Sequence, residues 1–185
     1  FGPDGCLYVT DMYRGIIQDA PWLSPGPREF IVGAGLSKNN QHGRIWRIRP
    51  AGIPAGSGRT PKMSQQSTPE LVAHLADDNG WWRDTAKKLI ILRKDRESAT
   101  PALETLALDP DESYQTRVTA LWTLEGISAV HPSLLIKLLN DKDHHVQTAA
   151  LRVSEPFLTD KNAEVSEAVK TLASTTHPEA AIQLY

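Results

Sequence analysis

Residues 131–157, HPSLLIKLLNDKDHHVQTAALRVSEPF, contain two apolar patterns with the spacing of an α-helix. The first pattern begins after His131-Pro132. It contains four leucines: Leu134, Leu135, Leu138 and Leu139. The second contains five apolar residues: Val146, Ala149, Ala150, Val153 and Phe157. Residues three or four positions apart share one face of a helix, so the stretch predicts two helices with one apolar side each.

The dipeptide that opens this stretch has counterparts earlier in the chain. Thr68-Pro69, Thr100-Pro101 and His131-Pro132 follow one another at spacings of 32 and 31 residues. Each opens an apolar helical pattern, and a second pattern follows after a short turn. Proline at the first helical position, after a capping side chain, is a typical helix start. The sequence therefore predicts repeated pairs of helices.

The second helices of these pairs also align with one another. Arg83-Asp84-Thr85-Ala86, Arg117-Val118-Thr119-Ala120 and Gln147-Thr148-Ala149-Ala150 lie 34 and 30 residues apart. The small residue at the last position lets neighbouring helices approach closely. One pair of this length cannot bury its apolar face alone, so the pairs are expected to stack into a HEAT-like α-solenoid over residues 68–185.

The first 49 residues have a different pattern. Alternating residues at 7–11 and 44–49 predict two short strands, with Ile45 against a core. Residues 20–43 are rich in Pro, Gly, Ser and Asn and predict a long surface loop, and residues 50–67 predict a linker. The expected fold is thus mainly α, preceded by a short β segment whose strands need neighbours to pair with.

The bulk composition points away from several classes of protein. The net charge is −2 at pH 7, so no basic field indicates nucleic-acid binding. No run of 18 apolar residues predicts a membrane span, and the single cysteine, Cys6, cannot form an internal disulfide.

The chain starts at Phe1 beside a strand and ends at Tyr185 inside an apolar helical pattern. We therefore expect it to be a fragment of a longer protein.

Several segments, in this order, resemble one protein family. They read FGPDG (1–5), LYV (7–9), DMYRGIIQ (11–18), GRIWRI (43–48), NGWWRDTA (79–86) and ALWTLEG (120–126). The chain resembles large bacterial proteins named membrane-bound dehydrogenases, which are abundant in planctomycetes. In that family the earlier segments close a β-propeller, and the last two lie in HEAT-like repeats. Cys6, Met12 and Trp46 stand where relatives often carry alanine, tryptophan and tyrosine.

The resemblance implies a propeller similar to those of sugar dehydrogenases that use pyrroloquinoline quinone (PQQ) with calcium. It also implies a periplasmic or cell-envelope location and a c-type cytochrome domain after the repeats. No Cys-x-x-Cys-His motif is present, since Cys6 is the only cysteine, so no covalent haem is expected on this chain. Only about one propeller blade is present. The fragment is therefore expected to hold no cofactor and no catalytic residue, and PQQ and calcium are expected only in the parent.

Asp11, Tyr13 and Arg14 are the candidate cofactor-binding residues that the resemblance implies. An Asp at the end of a propeller strand points toward the central face, and a neighbouring arginine can pair with the carboxylates of an anionic quinone. The alternative is that Asp11 and Arg14 lock the loop to the blade through a salt bridge. Asp4 is interpreted as a turn residue, because one carboxylate does not make a calcium site.

Trp81, Arg83 and Arg117 are the candidate partner-binding residues. An exposed Trp81 would anchor a partner, since aromatic side chains dominate binding hot spots. The alternative is that Trp81, like Trp122, packs within or between repeats. Arg83 and Arg117 have the alternative of a structural ladder along the helices.

The adjacent histidines His144 and His145 suggest two possibilities, a metal site or a capped helix start. Neighbouring positions on a helix face different directions, and the sequence shows no evident carboxylate or cysteine partner. We therefore interpret the pair as a helix start and expect no metal site.

The resemblance implies one function, and the repeat pattern alone implies another. The first is a non-catalytic C-terminal fragment of a quinoprotein-type sugar or alcohol dehydrogenase, in which the repeats act as a scaffold toward a cytochrome domain or another protein. The alternative is a free-standing HEAT-repeat module that binds a protein partner.

Overall fold

The computed structural model describes residues 1–17, 20–52, 54, 58–174 and 177–184. These residues form two compact units, Phe1–Thr60 and Pro61–Tyr185. Helices make up most of the described chain, and its sheet has two strands. The mainly helical fold predicted from the sequence, with a short β segment before the helices, is thus confirmed.

The first unit contains a two-stranded antiparallel sheet. β1 (Leu7–Asp11) pairs with β2 (Arg44–Ile48), in a register that places Asp11 opposite Arg44. Both predicted strands are confirmed. The expectation that Ile45 packs against a core is wrong, because Ile45 is 71% exposed in the part of the chain that the structure describes.

A helix interrupts the segment predicted as a long loop. α1 (Pro25–Gly33) follows the N-cap residue Ser24. Pro25 occupies the first turn, where its fixed φ suits a helix and its missing N–H is not needed. Proline and glycine therefore mark a helix start here, and the loop prediction for residues 20–43 is wrong over these nine residues.

The second unit contains eight helices among its described residues. In chain order they are α2 (Thr68–Ala73), α3 (Gly80–Arg93), α4 (Arg96–Leu108), α5 (Tyr114–Gly126), α6 (Pro132–Leu139), α7 (His144–Ser154), α8 (Ala163–Thr171) and α9 (Pro178–Leu184).

These helices form two layers. In one layer α2, α4, α6 and α8 contact one another in that order, and in the other α3, α5, α7 and α9 do the same. Within a pair, α2 packs on α3, α4 on α5 and α6 on α7. Ala86, Ala120 and Ala150, the aligned small residues, are fully buried. Together with the buried leucines of α4, α5 and α6, they form one apolar core.

Two helices begin earlier than their dipeptides predict. Ser67 precedes α2 and exchanges hydrogen bonds with Glu70, so it takes the capping position expected for Thr68. Asp95 caps α4 by accepting a hydrogen bond from the Ser98 N–H at 3.3 Å, which places Pro101 inside the helix. His131 caps α6 as predicted.

Candidate functional site

Asp11, the first predicted cofactor residue, is held by side chains of the opposite strand. Its Oδ2 accepts hydrogen bonds from Arg44 Nη2 at 2.9 Å and Trp46 Nε1 at 3.0 Å. Its Oδ1 accepts from the Tyr13 N–H at 3.1 Å. The hydrogen bond from Trp46 is the main reason that the Asp11 pKa is lowered, and Arg44 adds to it. Asp11 therefore acts in this structure as a clamp between β1 and β2.

Arg44 gathers the polar and aromatic groups around this clamp. Its guanidinium carbon lies 4.5 Å from the centre of the Tyr13 ring and 5.0 Å from that of Trp46. Asp11 and Tyr13 are thus brought together, whereas Arg14 is exposed and is not the arginine that pairs with Asp11. The sequence argument missed Arg44 and Trp46, although alternation along β2 places both on one face of the strand.

Asp4 is a turn residue, in agreement with its interpretation from the sequence. Its carboxylate accepts hydrogen bonds from the Cys6 N–H at 3.1 Å, Tyr8 Oη at 2.9 Å and Arg47 Nε at 2.7 Å. Desolvation raises the pKa of Asp4, but these hydrogen bonds lower it more, so it stays well below its ordinary value. The carboxylate therefore fastens the turn to both strands.

The three predicted partner-binding residues occupy different environments. Trp81 is half-buried and packs edge-on against Trp82, with 5.5 Å between ring centres. Arg83 Nη1 donates hydrogen bonds to the carbonyl oxygens of Asp77 and Asp78. Trp81 and Arg83 therefore help to build the start of α3, and Arg83 also lines a surface groove.

Arg117 is only 5% exposed. Its Nε donates to the Ala107 carbonyl at 3.1 Å, and its two terminal nitrogens pair with both carboxylate oxygens of Asp141. This bidentate geometry ties α5 to the end of α4 and to the turn before α7. The structure therefore gives Arg117 a contact role inside the helical unit.

A groove lies on the layer formed by α3, α5 and α7 and has a volume of about 400 Å³. Tyr114, Val118 and Trp122, spaced four residues apart on α5, line it. Positions i, i+4 and i+8 share one helix face, so the three side chains form a single stripe. Arg83 from α3 and Arg152 from α7 line the two sides.

Trp122 is the most exposed aromatic side chain of the groove, with 43% of its surface accessible. A second hollow on the same layer is lined by Lys87, Ile91, Trp122, Glu125 and Arg152. The ammonium of Lys87 lies 5.8 Å from the indole centre, within cation–π range. The interpretation of Trp122 as packing within or between repeats missed this surface position. The spacing of Tyr114, Val118 and Trp122, four residues apart, was the sequence pattern that indicated this surface face of α5.

The groove combines an apolar stripe with charges of both signs. Arg152 Nη1 lies 3.5 Å from Glu125 Oε1, and both side chains are about half exposed. Asp84 and Glu179 also line the groove. Such a surface can take up an apolar side chain and offer hydrogen-bond donors to the groups beside it.

Among the described residues, the helices are too short or too polar to span a lipid bilayer.

Comparisons with known proteins bear on the first unit alone. The family model described as "Domain of unknown function (DUF7133)" matches residues 1–52. The comparisons with curated proteins and with solved structures found no match. The chain is therefore similar to this family over β1, α1 and β2.

Proposed function

We propose that the helical unit is a HEAT-like solenoid scaffold that binds a segment of another protein in the groove along α5. The two ordered layers of helices support the repeat architecture, because each layer is continued by the next pair. The observation that carries the binding proposal is Trp122, a large apolar side chain left 43% exposed at the border of two hollows.

The proposed ligand is a peptide segment with one large apolar side chain and an adjacent carboxylate. The stripe formed by Tyr114, Val118 and Trp122 would pack against the apolar side chain. Lys87 and Arg152, which line the hollow beside the indole of Trp122, would face the carboxylate. The apolar contact supplies most of the affinity, and the charges fix the orientation of the segment.

A displayed library of random peptides, selected on the purified chain, tests the proposal. Peptides that bind should contain the apolar and acidic pair, and Trp122→Ala should weaken them by about 30-fold, since an aromatic hot spot contributes about 2 kcal/mol or more. Trp22→Ala is the matched control, because Trp22 is exposed in the other unit. Equal binding by the Trp122→Ala chain, or failure to enrich any peptide, would contradict the proposal.

The dehydrogenase function is a second candidate for a longer parent protein. It is supported by the resemblance of the strand segments and by the exposed apolar side chains of both strands, Val9 and Ile45 among them, which suit packing against neighbouring sheets. In that case the helical unit would hold a quinone-dependent propeller against a cytochrome. Oxidation of sugars or alcohols by a longer protein, dependent on added PQQ and calcium, would support this candidate. A longer protein inactive under these conditions would count against it.

A further inference from the structure

Four aromatic rings form a continuous stack beside the first residues of α7 and α9. The Tyr114 and His145 rings are nearly parallel, with centres 3.9 Å apart. The His145 and His144 centres are 3.8 Å apart. The His144 and His177 rings are again nearly parallel, with centres 4.4 Å apart. His177 immediately precedes α9, so the stack joins that helix to α7 and α5.

The attachment of α9 to the rest of the unit is small. The helix has seven residues, of which Ala180 alone is buried. Gln183 Nε2 donates a hydrogen bond to Glu155 Oε1 at 3.1 Å, and this contact is exposed. A helix of this length is not stable by itself in water. The order of α9 therefore depends on its contacts with α7, and the ring stack is one of them.

Asp143 can balance the charge of one protonated imidazole in the stack. Its Oδ1 lies 3.0 Å from His145 Nδ1 and accepts a hydrogen bond from the His145 N–H at 2.8 Å. Desolvation raises the pKa of Asp143, but the hydrogen bonds from His145 lower it more, so the carboxylate stays ionised wherever imidazoles gain a proton. A proton on His145 is thus matched by a negative charge in contact with it.

Protons on the other two imidazoles are opposed by like charge. Because His144 and His177 stack face to face, protonating both brings two positive charges to 4.4 Å from each other. His144 is also the first residue of α7, where the positive end of the helix dipole disfavours a cation. The docked arrangement therefore resists full protonation.

The other charged groups around the stack leave this repulsion in place. In the turn before α7, Asp141 is paired with Arg117, and Lys142 adds a positive charge. From α5, the Tyr114 ring is in contact with the stack. Apart from Asp143, these groups carry no net negative charge, since the four charged side chains that line the adjoining groove from α3, α7 and α9 are two of each sign: Arg83, Asp84, Arg152 and Glu179.

We propose that the stack is a proton-sensitive latch, which holds α9 on α7 at neutral pH and releases it in mildly acid solution. Imidazoles gain protons between about pH 8 and pH 5. When α9 is docked, His144 and His177 cannot both be charged without repulsion, whereas they are apart when it is released. The released form therefore binds more protons, and a fall in pH shifts the equilibrium toward it.

The latch also lies at one end of the groove. His145 and Glu179 both line the groove, one from α7 and the other from α9. Release of α9 would therefore remove part of the groove wall in mildly acid solution. The proposal stands independently of what the groove binds, because the docking of α9 is measured on the chain alone.

Hydrogen exchange of the full chain at about pH 7.5 and about pH 5 tests the proposal, with each rate divided by the intrinsic rate at that pH. The protection of the α9 amides should fall at least about fivefold at the lower pH, because two unit charges about 4 Å apart repel to that extent even in bulk water. The amides of α5 are the internal reference and should keep their protection.

His144→Phe and His177→Phe each keep an aromatic ring in the stack and remove one of the two opposed charges. Either variant should retain the protection of α9 at the lower pH. His42→Phe is the matched control, since it removes an imidazole from the other unit and should leave the fivefold loss in place. Unchanged protection of α9 in the unmodified chain, or an equal loss in both stack variants, would overturn the proposal.

A second measurement needs no variant and so does not depend on how the variants fold. His177 is exposed and His144 partly so, which lets salt screen the repulsion between them. Raising sodium chloride to about 1 M at about pH 5 should therefore increase the protection of α9 again, by about twofold or more. Protection that stays equally low at high salt would show that charge repulsion does not release α9, and would overturn the proposal.

Discussion

At the scale of single residues, the arginines of the helical unit divide into two groups. Arg117 is buried and forms a bidentate pair with Asp141, which itself is largely buried. Arg152 is exposed to solvent, and its pair with Glu125 spans 3.5 Å between half-exposed side chains. A buried charge that loses its partner is costly, whereas a solvent-exposed pair contributes little. Stability and surface chemistry therefore depend on different arginines.

Replacing Arg117 by alanine should destabilise the helical unit by about 3 to 5 kcal/mol. The change leaves the Asp141 carboxylate and the Ala107 carbonyl without the guanidinium that they share. Arg117→Lys should also be strongly destabilising, because an ammonium group cannot form the same fork.

Urea unfolding followed by far-ultraviolet circular dichroism measures the effect of these substitutions at Arg117. The matched control is Arg152→Ala, for which a loss of at most about 1 kcal/mol is expected. Similar losses of unfolding free energy for Arg117→Ala and Arg152→Ala would show that the buried pair stabilises the chain no more than the exposed one.

At the scale of elements, the Xaa-Pro dipeptides predict the first residue of some helices and not of others. The dipeptide rule works for α6, where His131 caps and Pro132 occupies the first turn. It fails for α4, because Asp95 provides a cap further upstream and also accepts a hydrogen bond from Thr68 at 2.8 Å. A contact between α2 and α4 thus helps to set the start of α4, and a pattern read along the chain does not show it.

Replacing Pro101 by alanine should stabilise the chain by about 1 to 2 kcal/mol. Pro101 lies inside α4 and is exposed, so alanine restores a backbone N–H for the Glu97 carbonyl without loss of packing. Pro132→Ala is the matched control and should bring no gain, since proline is well suited to the first turn of α6.

The comparison is made between the urea concentrations at which half of each proline variant is unfolded. It holds when the dependence of the unfolding free energy on urea concentration is the same for both variants. A lower midpoint for Pro101→Ala than for the unmodified chain would mean that the proline stabilises α4 through the unfolded state.

The same elements show what a single sequence can and cannot reveal. Both strands follow from their alternating residues, and the second helices, α3, α5 and α7, follow from a periodicity that burial of one helix face imposes. The groove stripe on α5 was also present as a pattern, but the buried pattern on the other side of the helix concealed it. The partners of Asp11 and His144, namely Arg44 and His177, lie 33 residues away in each case, and only the folded chain brings them together.

At the scale of the whole molecule, the two units differ in how their secondary structure is supported. The helical unit has a core of buried leucines and alanines shared by its two layers. The strands of the first unit expose Leu7, Val9, Ile45 and Ile48. Two strands without a covering layer are marginally stable in water. The chain is therefore expected to have one robust unit and one weak one.

Hydrogen exchange measures this difference directly. The amides of β1 and β2 should exchange within minutes, near the limit for local opening, whereas those of α5 and α6 should be protected by several kcal/mol. Uniformly strong protection of both units would show that the strands gain support from contacts beyond their own sheet.

The exposure of the Trp122 indole also makes its fluorescence sensitive to whatever covers it. An indole that loses contact with water emits at shorter wavelength, so a segment that covers the border between the two hollows would shift the fluorescence of Trp122. Trp82 is buried in the core and would keep its emission. The protein thus carries its own optical reporter at the place where we expect a partner to dock.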